Sequence, residues 1–175
     1  DDSATGVAFT RDPSTGERRF FGEYLPKAQG EDVVAGIRTP HPIAGKSGDD
    51  SGPTLQEAMP RCFTELQRIA KGLEKHYGDM LDLEFTIQNS KLWMLQTRVG
   101  KRTSRAAVRI AVEMVREKRI DREEAVRRVG AEQLSQLLHP TLDRSKASAP
   151  IGIGVGASPG AVAGGIVLEA QGAEG

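Results

Sequence analysis

Residues 82–98 constrain the fold most, because two runs of strict alternation face each other across three loop-forming residues. Leu83, Phe85 and Ile87 fall on one side of the first run, with Asp82, Glu84, Thr86 and Gln88 on the other. A period of two over seven residues predicts a β-strand with one apolar face. In the second run Trp93, Leu95 and Thr97 alternate with Leu92, Met94, Gln96 and Arg98. Joining the sets led by Phe85 and Trp93 into one core face predicts a hairpin in which Glu84 lies opposite Gln96 and Asp82 opposite Arg98. That register needs an odd-length loop at Asn89, Ser90 and Lys91, or a bulge nearby.

Two carboxylates, an amide oxygen and a guanidinium then converge on the polar face. Oxygen donors suit Mg²⁺, which keeps phosphate oxygens and waters in its shell, and Arg grips phosphate with two parallel hydrogen bonds. The same pattern also describes an ordinary solvated sheet face with a cross-strand ion pair.

Upstream, Val7 to Arg11 and Arg18 to Leu25 read as two strands, joined by Asp12, Pro13, Ser14, Thr15 and Gly16 as a turn. Residues 26–53 carry little periodicity and are expected to form a long loop, in which Gln29, Glu31, Asp32 and Arg38 either line a cleft or are solvated. Gly45, Lys46 and Ser47 lack the earlier glycine of a P-loop.

Thr54 and Glu57 form a capping box ahead of a stripe of Leu55, Met59, Phe63, Leu66, Ile69, Leu73 and Tyr77. This predicts an amphipathic helix, kinked or restarted at Pro60, that packs on the sheet beside Phe85 and Trp93. Further helices are expected from Ala107, Ile110, Ala111, Met114 and Val115, from Asp121 capping Ala125, Val126 and Val129, and from Leu134, Leu137 and Leu138, ended by His139 and Pro140. Ser145 to Pro150 reads as a hinge. Gly152, Gly154 and Ala157 fail the dinucleotide-loop pattern, and Ala161 to Leu168 reads as the first strand of a Gly-rich domain.

Composition excludes several classes. Among 175 residues, 24 basic and 24 acidic side chains cancel, so no global field draws the chain to nucleic acid or to a membrane surface. The basic residues from Arg102 to Arg128 are interspersed with acidic ones, as on a solvated helix face. No apolar run approaches the ~20 residues of a membrane span. The only cysteine, Cys62, precludes an internal disulfide, fits a reducing cytoplasm and is expected to be a buried thiol. His76, near a helix end, is assigned no chemistry. With no signal-peptide pattern and no initiator Met, the chain is expected to begin within a longer protein.

Three blocks, Val7 to Gly16, Ala28 to Pro40 and Glu84 to Thr103, resemble the pyruvate, phosphate dikinases in the later part of their ATP-grasp nucleotide-binding domain, and Gly156 to Gly160 is similar to the opening of the phosphohistidine domain of phosphoenolpyruvate-utilising enzymes. Asp12, where Asn is common, and His41, where Gln is expected, depart from that pattern. The resemblance implies an α+β fold: a partial ATP-grasp domain over residues 1–101 with antiparallel hairpins packed on a helix, a helical linker over 102–150, and the Gly-rich start of a swivelling phosphohistidine domain over 151–175. It implies phosphoryl transfer from ATP, through a histidine beyond this segment, to pyruvate and orthophosphate, in a cytoplasmic homodimer. Glu84, Gln96 and Arg98 match catalytic positions, the same three with Asp82 match nucleotide-phosphate positions, and Glu84 and Gln96 match Mg²⁺ positions. By itself the segment is expected to be inactive. A phosphoenolpyruvate synthase, in which water accepts the second phosphoryl group, and a noncatalytic module derived from the dikinase are the alternatives.

Overall fold

The computed structural model describes residues 3–28, 39–45 and 52–138. Gln29, Glu31, Asp32, Arg38, His139, the expected hinge and the Gly-rich segment lie outside them. The chain divides into two compact units, residues 1–130 and 131–175.

In the first unit, β1 (Ala4–Phe9), β2 (Phe21–Pro26), β3 (His41–Pro42), β4 (Leu81–Gln88) and β5 (Lys91–Val99) form one antiparallel sheet in the order β3-β2-β1-β4-β5. Helices α1 (Leu55–Ala58) and α2 (Pro60–Tyr77) cover one face. Helices α3 (Ser104–Arg116) and α4 (Arg122–Arg128) follow the sheet. The chain is thus α+β. In the second unit the described element is α5 (Ala131–Leu137), on which Leu134 is exposed.

The core under α2 is built by alternation. Ala4 and Ala8 from β1, Tyr24 from β2, and Leu83, Phe85 and Ile87 from β4 all point to Leu55, Phe63, Leu66 and Ala70. Gly6 is the neighbour of Phe85 across the β1–β4 ladder, and a Cβ there would lie 2.7 Å from Phe85 Cζ, so the missing side chain makes room for the ring. Thr54 accepts from Glu57 N and Glu57 reaches back to Thr54 N, the expected reciprocal cap. The helix does restart at Pro60, which occupies the first turn of α2, where no intrahelical N–H is required. The predicted stripe ends before Tyr77, which is 56 % exposed. A charged residue, Glu74, is buried in its place.

A second cluster joins Met80, Ala106, Ile110 and Met114, with Phe9 and Ile120 packed against it. Arg11 bridges the two. Its fully buried side chain donates from Nε and Nη2 to Glu74, from Nη1 to Glu113 and from Nη2 to Glu117. This overturns the expected strand from Val7 to Arg11: β1 ends at Phe9, opposite Phe21, and the next residues turn away to meet carboxylates on α2 and beyond. The turn itself is as expected. Asp12 Oδ1 accepts from Ser14 N and Thr15 N, and Gly16 takes the left-handed φ of +75°.

Two further expectations are corrected. The stretch 26–53 contains β3, since His41 and Pro42 pair with Tyr24 and Glu23. The second correction concerns Trp93 and Leu95. The short helix capped by Asp121 forms as expected, as α4, although it buries none of its residues and Val126 is 75 % exposed. Polar contacts tie it down: Arg128 donates to Gly78 O and to Glu124, and Asp121 accepts from Glu124 N.

Candidate functional site on the β4–β5 hairpin

Asn89 and Ser90 both have positive φ, 51° and 59°, so the hairpin closes through a two-residue turn of the type whose twist matches paired strands. A two-residue turn sets Gln88 against Lys91, Ile87 against Leu92 and Phe85 against Met94. The register then shifts by one between Glu84 and Phe85, after which Glu84 faces Gln96, Leu83 faces Thr97 and Asp82 faces Arg98. The unpaired extra residue is Leu95.

The bulge therefore exchanges the two faces of β5 halfway along. Leu92 is buried and Met94 packs against the core. Trp93 and Leu95, expected inside with Phe85, are instead 47 % and 60 % exposed. Lys91 Nζ lies 4.1 Å from the centroid of the Trp93 ring. In sequence the positions alternate without interruption, so nothing local marks where the inward parity changes.

Beyond the bulge the expected polar set is together. Arg98 donates from Nε to Asp82 Oδ2 at 2.8 Å, and its Nη2 lies 3.2 Å from Glu84 Oε1. Asp82 is buried, Glu84 half-buried and Gln96 exposed. The hydrogen bond from Arg98 to Asp82 and the nearby Glu84 charge hold the guanidinium further toward its charged form. The result is a graded arrangement: an inner carboxylate orients the Arg, the Arg head stays more than half exposed, and Glu84 sits beside it, opposite Gln96 in the ladder.

Among the described residues no group of three or more His, Cys, Asp or Glu side chains is placed to hold a metal ion. Glu84 and Gln96 together offer a carboxylate and an amide oxygen. That is too small a set for a closed protein cage, and it fits a hard cation that takes its remaining oxygens from water and a phosphorylated ligand. Cys62 has no such role. Its thiol is buried and donates to Ser90 O, and burial, with Glu65 adding to it, pushes the thiol up. His76 is exposed, edge-on to Tyr77 near the end of α2. No helix among the described residues is long and apolar enough to cross a membrane.

A family model described as the pyruvate phosphate dikinase AMP/ATP-binding domain matches residues 45–119, the span that contains this hairpin. The pyruvate, phosphate dikinase of Rhizobium meliloti (strain 1021) is 55 % identical over 172 residues, which is 97 % of this chain and 19 % of that protein. By sequence this chain is a relative of the pyruvate, phosphate dikinases. The Rickettsia prowazekii (strain Madrid E) protein of that name is 54 % identical over 172 residues, 98 % of this chain and 19 % of its own length. The chloroplastic one of Flaveria pringlei is 51 % identical over 174 residues, 98 % and 17 % respectively. The chain thus spans about a fifth of the length of the curated relatives it matches.

Proposed function

We propose that this chain is the part of a pyruvate, phosphate dikinase that binds MgATP, in an enzyme that passes phosphoryl groups from ATP through a phosphohistidine to pyruvate and orthophosphate, giving phosphoenolpyruvate, AMP and diphosphate. The observation that carries the reading is the bulged register that sets Glu84 against Gln96 and Asp82 against Arg98, in a chain whose relatives bear that name. The reading takes the sheet unit as the later part of an ATP-grasp domain, with residues 102–150 as linker and 151–175 as the start of the phosphohistidine domain. A homodimer and a cytoplasmic location belong to it on the family resemblance alone.

Glu84 and Gln96 would hold Mg²⁺, which when bound neutralises and orients phosphate oxygens. The chain's own contribution is positioning and charge. Phosphoryl transfer needs little covalent chemistry from a protein, so pre-oriented cationic and oxygen groups lower the barrier by being in place beforehand. Asp82 fixes the Arg98 guanidinium against the sheet, leaving its outer N–H groups for phosphate. Glu84 Oε1 is held near Arg98, so the carboxylate does not reorganise when a cation arrives. The exposed Trp93 face borders this set on the same strand.

Rapid-quench measurement of histidine phosphorylation by the whole enzyme tests the reading. Glu84→Gln should slow that half-reaction by roughly 10²-fold or more, with the thermal unfolding midpoint kept, because Glu84 lies off the core face. Normal phosphorylation by this variant would sink the assignment.

A further inference from the structure

Beyond the Leu95 bulge, the half of β5 that carries Gln96 and Arg98 is poorly held by its own side chains. β5 is an edge strand of the sheet and pairs on one side alone, with β4. From Leu95 to Val99 its residues are exposed or half-buried, Val99 itself 62 % exposed. An edge segment with a short ladder and little apolar burial opens more readily than the sheet behind it. Yet a group that positions phosphate loses much of its effect when displaced by about 1 Å. Something other than packing has to fix this end of the hairpin.

The residues just past the strand supply the hold. Gly100 N donates to Met80 O at 2.9 Å, next to the last ladder pair, Leu81 and Val99. Arg102 closes around that junction. Its Nη1 donates to Asp79 Oδ1 at 2.7 Å, its Nε to Gly100 O at 2.9 Å and its Nη2 to Met80 O at 3.4 Å. One planar guanidinium thus spans the two residues that lead into β4 and the one that leaves β5, a reach that a rigid fork of donors allows. Asp79 Oδ1 is itself fixed by Met80 N at 2.7 Å, with Arg128 3.8 Å away. Met80 is fully buried with Ile110 and Met114, so the latch is anchored in the second core cluster. A Cβ at Gly100 would overlap Met80 Cε, so the close approach needs glycine. By sequence Arg102 belongs with the basic residues of a solvated helix face, but its side chain is 13 % exposed and spent on this junction.

We infer that Arg102 is a positioning residue for histidine phosphorylation: by latching the end of β5 to the start of β4, it holds Arg98 and Gln96 in place against Asp82 and Glu84. The inference rests on the hairpin being the phosphate-handling face. Arg102 touches no phosphate itself, and its effect passes along the backbone through Gly100 and Val99 to Arg98.

The test combines rapid-quench kinetics of the whole enzyme with hydrogen exchange read by mass spectrometry. In Arg102→Leu, histidine phosphorylation at saturating MgATP should slow about tenfold, within the range that misplacing a catalytic group costs. Exchange should quicken about tenfold in peptides covering residues 96–101 and keep the wild-type rate in those covering 85–92, because loss of a local latch frees one end of the hairpin whereas a general loss of stability frees both. Arg102→Lys keeps a cation for Asp79 but cannot also span the two carbonyls, so it should show the same pattern at about threefold, and it carries the test if the Leu variant folds poorly. Wild-type phosphorylation in both variants, or exchange that rises equally at both ends of the hairpin, would overturn the inference. Glu84→Gln separates it from the functional reading. Normal phosphorylation by that variant removes the reading and the inference together, while a slow Glu84→Gln beside a wild-type Arg102→Leu removes the inference alone.

Discussion

Arg98 and Asp82 face each other across the β4–β5 ladder, joined by a 2.8 Å hydrogen bond from Nε, while the other edge of the same guanidinium lies 3.2 Å from Glu84. One side chain thus couples a buried carboxylate to a half-exposed one. A lysine in its place keeps the charge but cannot hold both carboxylates and present a planar pair of donors. Arg98→Lys should therefore slow histidine phosphorylation at least tenfold in rapid-quench assays of the whole enzyme while leaving the thermal unfolding midpoint close to wild type, as for a surface ion pair. A variant with wild-type kinetics would leave Arg98 a structural residue.

The bulge makes Phe85 and Trp93 unequal, although the alternation treats them alike. Phe85 is fully buried against Gly6 and α2, and Phe85→Ala should cost roughly 3–5 kcal/mol in chemical denaturation. Trp93 keeps about half its surface in water, with Lys91 Nζ over its ring, so Trp93→Ala should cost about 1 kcal/mol or less. Equal losses would restore the unbulged register.

Leu95 itself is dispensable for pairing. Deleting it leaves Phe85 opposite Met94 and Glu84 opposite Gln96, the pairs already present, with the two-residue turn unchanged. What the extra residue adds is local bend and twist where Gln96 and Arg98 meet Glu84. The deletion variant should keep its fold by circular dichroism, within about 1 kcal/mol of wild type, and lose phosphorylation rate. Collapse of the fold would show that the bulge secures the sheet rather than shaping its polar face.

Arg11 should be the costliest polar residue to remove. It is wholly buried and answers Glu74, Glu113 and Glu117, so Arg11→Met leaves carboxylates uncompensated and should destabilise by about 3–5 kcal/mol. Adding Glu74→Leu to that variant should recover part of the loss, as measured by urea unfolding. If the double variant is the less stable by the full sum, the pair does not act as a unit.

Acid should act through Asp12 and Glu117. Burial pushes each carboxyl up, but the Ser14 and Thr15 N–H groups with Arg19 outweigh it at Asp12, and Arg11 with Arg18 and Arg119 outweigh it at Glu117, so both sit below their ordinary values. A group lowered on folding stabilises the native state above its unfolded value, and that contribution is lost as pH falls through the folded value. Unfolding free energy should hold from neutrality to about pH 5 and then decline. Asp12→Asn keeps an oxygen for Ser14 and Thr15 and should flatten part of that decline. An unaltered acid limb would place the titrating group elsewhere.

Locally written features were legible in the chain. The alternation of β4, the Thr54–Glu57 cap, the restart at Pro60, the Asp12 turn and the pairing of Glu84 with Gln96 each follow from residues a few positions apart, where hydrogen-bond geometry and side-chain period leave few choices. Tertiary structure decided the rest. The inward face of β5 depends on where an unpaired residue is accommodated between a tight turn and a register set farther along, and Leu95 carries no mark of it. Arg11 reads as a strand end, and only folding brings it to Glu74, Glu113 and Glu117, 63, 102 and 106 residues away. A buried charge is tolerable solely where distant chain segments supply its counter-charges, and so its burial cannot be read from its neighbours in sequence.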